Sequence, residues 1–248
     1  NTSMNKFLSF FVLFSFHANA QDAYQIIKKA EDHLRGTSQQ SEMSIEIQRP
    51  KWSRTMEIKA WSLGTKYSFI LIQAPSRDKG TVFLKREKEI WNWQPKIEKV
   101  IKLPPSMMMQ SWMGSDFTND DLVKESSILL DYTHEIIGDT LIQNRACYTI
   151  KLTPKPEASV VWGNIKTFID KADFLQLGSE FYDEDGYLIN KMVASEIRSF
   201  GDKILPSKIV MTPVEEDGQT TILRYKSIEF NIDIQEAFFS RQNMKRLR

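Results

Sequence analysis

One cysteine, three histidines and a near balance of charge are all that this 248-residue chain offers where many functional classes need more. Cys147 has no second thiol to pair with, so an intramolecular disulfide is impossible and the fold must rest on its core. With 33 basic against 32 acidic residues, the chain lacks the basic excess that sequence-independent nucleic-acid binding draws on, and no nucleic-acid partner is expected. There is no G-x-S-x-G elbow, no phosphate-binding loop and no zinc-ligand spacing. No Gly- or Ser-rich linker divides the chain, and no repeat at solenoid spacing runs through it.

The apolar run from Phe7 to Phe16 is too short to span a bilayer. It follows Met4-Asn5-Lys6 and precedes Ala18-Asn19-Ala20, the order of a basic start, an apolar segment and an A-x-A cleavage site. Residues 1–20 are therefore expected to be a secretory leader, with Asn1 to Ser3 an addition or mis-set start ahead of Met4, and residues 21–248 a single exported domain. Loss of Lys6 with the leader leaves that domain formally neutral. No cysteine follows the cleavage site, so no lipid anchor is expected there, and the exported domain should be soluble.

Chemistry has few candidates. His17 leaves with the leader; His33 lies beside Leu34 on a helix flank, and His134 and Glu135 are strand neighbours that point to opposite faces. The run 183-DEDG-186 opens like a calcium loop but lacks the closing glutamate and reads as a hairpin turn. Asp116, Asp120 and Asp121 could gather around calcium, yet Thr118 followed three residues later by Asp121 matches a helix capping box, the preferred reading. No catalytic residue, metal or cofactor is expected, and the chain is not read as an enzyme.

What the chain does have is alternation. Residues 22–35, DAYQIIKKAEDHLR, space Ala23, Ile26, Ile27, Ala30 and Leu34 as one face of a helix that Asp22 can cap and Gly36 can end. From about residue 41 the period becomes two. Runs at 43–48, 55–61, 67–73, 81–85, 89–93 and 97–103 read as strands, as do 132–138, 146–152, 164–170, 174–181, 187–197, 208–213 and 220–230. Asp185-Gly186 and Asp217-Gly218 favour tight hairpins, so the strands should form one mainly antiparallel meander. A sheet of more than about ten strands curls or closes, and its concave apolar face must be filled by side chains or by a ligand.

The meander is interrupted by 104-PPSMMMQSWMGSDFTNDDL-122. Pro104-Pro105 ends a strand and Ser106 can cap two helical turns over 107–113. At about 100° per residue, Met108, Met109, Trp112 and Met113 then share an arc of about 140° opposite Gln110, Ser111 and Gly114, with Met107 among the polar positions. Such a face can be core. It can also be a lid over a variable apolar ligand, since methionine is flexible and polarizable. An acyl chain suits it, because each buried methylene is worth ~0.8 kcal/mol.

The segment 91-WNWQPKIEKVIKLPPSMMMQSWMGSDFTNDDLVKESS-127, following 66-KYSFILIQAPSRDKGTVFLK-85, resembles the outer membrane lipoprotein-sorting family of exported proteins, relatives of the LolA and LolB carriers. The likeness extends from about residue 22 to about residue 240. Within its motif it covers Pro104, Pro105, Met107 to Met109, Trp112, Met113, Gly114, Asp116, Phe117, Asp120 and Asp121. It implies an α+β fold, an incomplete antiparallel β-barrel with helices in its concave face and an apolar cavity between them. It also implies a periplasmic location in a Gram-negative bacterium and binding of acyl chains of lipids or lipoproteins during outer membrane biogenesis. The expected cavity and lid residues are Met107, Met108, Met109, Trp112, Met113 and Phe117, with Trp91 and Trp93. An alternative is an accessory partner of a resistance-nodulation-division (RND) type inner-membrane exporter, and an enzyme acting on a hydrophobic small molecule comes third. The protein is expected to be a monomer. The founding carriers are shorter and hold their lid with an arginine, to which no arginine of this sequence can be matched.

Overall fold

A computed structural model describes residues 22–124 and 128–247, so the expected leader at 1–20 lies outside the described residues. Helix α1 (Ala23–Arg35) starts where the Asp22 carboxylate accepts the Tyr24 N–H at 3.2 Å and ends at Gly36, whose φ of 66° suits a residue without Cβ. Ala23, Ile26 and Ile27 are its buried stripe, as the spacing predicts.

Every alternating run is a strand. β1 (Ser38–Arg49), β2 (Trp52–Leu63), β3 (Tyr67–Ala74), β4 (Val82–Arg86), β5 (Glu89–Gln94) and β6 (Lys99–Lys102) form the first half. β7 (Tyr132–Ile142), β8 (Arg145–Pro154), β9 (Asn164–Asp170), β10 (Gln176–Tyr182), β11 (Leu188–Phe200), β12 (Lys203–Pro213) and β13 (Thr220–Phe230) form the second. All pair antiparallel in one sheet ordered β6-β5-β4-β3-β2-β1-β13-β12-β11-β10-β9-β8-β7. The first and last strands are thus central neighbours, and β6 and β7 are unpaired edges, so the barrel is not closed. Bulges at Glu42/Met43, Glu57/Ile58, Ile136/Gly138 and Gln176/Gly178 bend the strands.

The tight hairpin with two positive φ values falls not at either Asp-Gly pair but at Gln143-Asn144, φ 50° and 62°, between β7 and β8. At 185–186 and 217–218 only the glycines have positive φ, and both sit in longer loops.

Alternation gives the sheet two working faces. On the concave face, register places Met43 opposite Ile58, Ile45 opposite Met56 and Ile58 opposite Ile72. These pack in the main core with Ile26 and Ile27 of α1, which lies over β7 and β9, and with the insert that joins β6 to β7. On the convex face, Trp61, Phe69, Leu84 and Trp91 stand in cross-strand register. Residues 232–247 cover them. Phe239 is fully buried, its ring 5.5 Å from that of Phe69 and 5.9 Å from that of Tyr67, and Arg86 donates to the Phe239 carbonyl at 3.0 Å and to Glu236 Oε1 at 2.6 Å. A short helix α2 (Arg241–Met244) buries Met244 in the same cluster.

Candidate functional site

The insert links the two open edges and so must cross the mouth of the concave face. Pro104-Pro105 stops β6 and starts a single 3-10 turn, Pro105–Met107. The helix expected over 107–113 does not form. Instead the chain doubles back: Trp112 N–H donates to Phe117 O at 2.8 Å, Asn119 N–H to Gln110 O at 2.9 Å and Asp120 N–H to Met108 O at 3.0 Å. The reversal is turned by Met113 (φ 53°) and Gly114 (φ 80°), left-handed positions that a continuous helix cannot contain.

That reversal redistributes the methionines. Met108 is buried, Met107 and Met113 pack against the core, and Met109 stands 68% exposed. A helical arc would put Met109 inside and Met107 outside; both assignments invert because 3-10 turns and a hairpin replace the 3.6-residue period. Trp112 is fully buried with its ring 5.6 Å from that of Phe83, and Phe117 is buried beside it in the same core. Trp91 and Trp93 do not join them. Strand alternation turns Asn92 to the concave side and both tryptophans to the convex side, where Lys102 and Arg241 lie over the Trp91 ring at 5.9 and 5.8 Å and Lys245 over that of Trp93 at 5.4 Å.

The capping box is present: Thr118 N–H donates to Asp121 Oδ2 at 2.8 Å and Asp121 N–H to Thr118 Oγ1 at 3.1 Å, opening a π-helical stretch over Asp120–Lys124. Burial holds the Asp121 carboxyl above the usual carboxylate range, opposed by the N–H groups of Trp162 (3.0 Å to Oδ1) and Thr118. The three acids do not converge. Asp120 pairs with Lys124, and Asp116 is taken by Arg49. Both histidines act as ties, His134 Nε2 at 2.6 Å from the Ile128 carbonyl and His33 Nε2 at 2.9 Å from that of Ile204.

Two arginines from the β1–β2 hairpin fasten the insert. Arg49 donates to both oxygens of Asp116, at 3.1 and 2.9 Å, and to the Gly114 carbonyl at 3.0 Å. Thr221 of β13 adds a donor to Asp116 Oδ2 at 2.7 Å and accepts the Asp116 N–H at 2.9 Å. Arg54 donates to the Met113 carbonyl. Sequence reasoning finds neither arginine, because nothing local distinguishes them from the other basic residues, and the resemblance matches no arginine of this sequence to a latch.

Beneath the insert lies a cavity of about 80 Å³. Met43, Ile45, Ile58, Ile70 and Leu223 form its floor, with Trp112 and Leu122 over them. Small side chains leave the space: Ser41 faces Ala60 and Ser62 faces Ser68 across adjoining strands, and these with Gln39 make a polar end. A larger cleft of about 630 Å³ opens on the convex side between the covering tail and β4–β6, its charged lining made of Arg86, which pairs with Glu236, Lys102 paired with Glu89, and Arg241 over the Trp91 ring. The smaller cavity is the more apolar of the two, with Arg35 its one charged lining residue.

A protein-family model described as "Uncharacterized protein" matches residues 64–246. The chain belongs to that family. The same architecture recurs in an outer membrane lipoprotein-sorting protein domain from Vibrio parahaemolyticus, with TM-score 0.81, 20% identity, and 90% of this chain and 98% of that one covered. It recurs in a DUF1329 family protein from Desulfovibrio piger (TM-score 0.81, 19% identity, 90% and 97% covered) and in a LolA superfamily protein from Nitrosomonas europaea (0.78, 20%, 90% and 99%). The open 13-stranded antiparallel sheet with its filled concave face is therefore the LolA-like fold. No curated protein sequence matches the chain.

Proposed function

We propose that the protein is a periplasmic carrier that holds an acyl chain of a lipid or lipoprotein under the 104–124 insert, in the service of lipoprotein sorting or lipid transport to the outer membrane. The observation that carries this reading is the largely apolar cavity roofed by Trp112 beneath a loop that Arg49 clamps. Ligand pockets for whole small molecules measure about 300–1,000 Å³, so 80 Å³ corresponds to a closed form that must move Trp112 aside to load. The energies suit reversible loading. Half of a sixteen-carbon chain gains roughly 6 kcal/mol at ~0.8 kcal/mol per methylene, and the hydration that Arg49 and Asp116 regain on separating offsets much of the attraction lost when the insert opens.

The test is to delipidate the purified protein and offer it a fluorescent fatty acid, a phospholipid and a triacylated peptide while following tryptophan emission. Saturable binding with a change in the Trp112 signal, absent from Trp112→Phe, supports the carrier. Binding of none of the three sinks it.

A second reading, docking of the insert on an RND-type exporter, is favoured by one residue: Met109 is a large apolar side chain standing 68% exposed on the outside of the loop. Crosslinking from Met109→Cys in whole cells that captures an inner-membrane transporter would support it. Capture of none would remove its one support.

A further inference from the structure

Among the described residues, four side-chain N or O atoms are buried without a hydrogen-bond partner: Gln39 Oε1, Arg54 Nε, Asp78 Oδ2 and Trp112 Nε1. Arg54 and Asp78 face each other, Nη1 and Oδ2 being 3.8 Å apart, and neither lines the cavity. The remaining two belong to residues that both line it. One is a donor with no acceptor capacity, the indole N–H of a fully buried tryptophan; the other is an acceptor, the amide oxygen of Gln39 at the polar end. Buried polar groups are normally paired, and each exception calls for a reason.

We infer that the cavity is built for an acyl chain in amide linkage, the chain lying on Met43, Ile45, Ile58 and Ile70 and the linkage meeting the two unpaired groups. This rests on the carrier reading above and narrows its cargo. A plain hydrocarbon would leave both groups unpaired. An ester has only acceptor oxygens and would serve Trp112 alone with Gln39 oriented as it is, reaching Gln39 only if that side-chain amide turns over to present Nε2. An amide offers a carbonyl to the Trp112 N–H and an N–H to the Gln39 oxygen, satisfying both at once. The class is thus N-acylated amines and amino acids, in preference to acylglycerols of equal chain length. Discrimination by a buried group that only one of two isosteres can pair is stronger than discrimination by apolar contact.

The experiment uses an isosteric pair, N-palmitoyl glycine methyl ester and its oxygen analogue in which the amide N–H is an ester oxygen, against the whole delipidated protein and its Gln39→Met variant. The wild type should bind the amide about tenfold tighter. Gln39→Met, similar in length but without the carbonyl, should bring that ratio to about one while leaving affinity for the ester near its wild-type value. In ¹⁵N-tryptophan-labelled protein, the Trp112 indole N–H resonance, assigned by its loss in Trp112→Phe, should move downfield with either probe. Equal binding of the two probes by the wild type, or a preference that survives Gln39→Met, overturns the amide assignment while leaving the carrier intact. Binding of neither probe overturns both. Should Gln39→Met fail to fold, the wild-type ratio and the indole shift decide the matter by themselves.

Discussion

Replacing Arg49 with methionine keeps an apolar stem in place and removes the charge that fastens the insert. The Arg49 and Asp116 side chains are only 12% and 7% exposed, so the change leaves a carboxylate buried with the Thr221 hydroxyl as its remaining side-chain donor. Removing one partner of a buried pair costs about 3–5 kcal/mol, and the surviving Thr221 bond argues for the lower end, about 3 kcal/mol. Arg49 holds Asp116 and Gly114 of the insert, and its side chain's only other hydrogen bonds among the described residues go to the Gln48 and Thr220 carbonyls at the very end of the β1–β13 pairing, so most of the cost should fall on local opening. At 1.4 kcal/mol per tenfold, amide exchange at Trp112, Asp116, Asn119 and Asp120 should accelerate by roughly 100-fold. Their acceptors lie within the insert or on Thr221. Ladder amides such as those of Ile45 and Leu223 should keep their wild-type rates. The variant should also take up an acyl probe faster. The assay is native-state hydrogen exchange by mass spectrometry, with Arg49→Met/Asp116→Asn as the control that removes the stranded charge and recovers part of the protection. Unchanged exchange in the insert, or an equal rise throughout the sheet, would refute the idea of a clamp acting on a separable lid.

Other expectations concern packing and charge. Met108→Ala should cost about 2–5 kcal/mol and Met109→Ser within about 0.5 kcal/mol, read from denaturant midpoints, since one side chain is buried and the other exposed; similar costs would contradict the doubled-back loop. Burial raises the Asp121 carboxyl, so the folded state binds that proton more tightly than the unfolded one, and the group's contribution to stability declines as pH rises from the usual carboxylate range toward the raised value. The melting temperature of the wild type minus that of Asp121→Asn should therefore shrink with rising pH over that window, and a difference independent of pH would count against it. Phe239→Ala should lose about 3–5 kcal/mol by emptying the convex-face cluster. A thermal melt within about 1 kcal/mol of wild type would mean that the tail is not part of the fold's support.

The strands are legible because alternation is a local property: each run of period two, from 43–48 to 220–230, lies on one strand, and the helix whose caps are Asp22 and Gly36 is as local. The capping box at Thr118 is readable for the same reason. What alternation does not say is which of its two faces is which. Trp91 and Trp93 resemble cavity residues by type, but they stand with Trp61 and Phe69 on the face covered by 232–247, whose pair Phe238-Phe239 is the available signal for that cover. The insert misleads for a different reason. A helical period fits the local sequence over 107–113, while the outcome is decided by partners five to twelve residues away, the backbone of Phe117 and Asp120 and the Asn119 side chain on the Met107 carbonyl. The clamp spans still more chain, from Arg49 to Asp116 and Thr221. No local window around Arg49 contains its partners in the insert.

A thirteen-strand sheet has twelve neighbour relations that could all be hairpins, but here one is not: β1 and β13 meet at the centre while the β6–β7 link runs outside along the mouth. Loops close quickly when their ends are near in sequence, and slowly when they are far. The two halves, β1–β6 and β7–β13, can therefore each zip from local turns, and the seam between them, Ile45 on Leu223 and Met43 on Tyr225, is the step that must wait for the most distant encounter. The residues along that seam include the cavity floor. The cavity is therefore expected to be the last part of the molecule to form as it folds, its apolar lining open until then to whatever surrounds the chain.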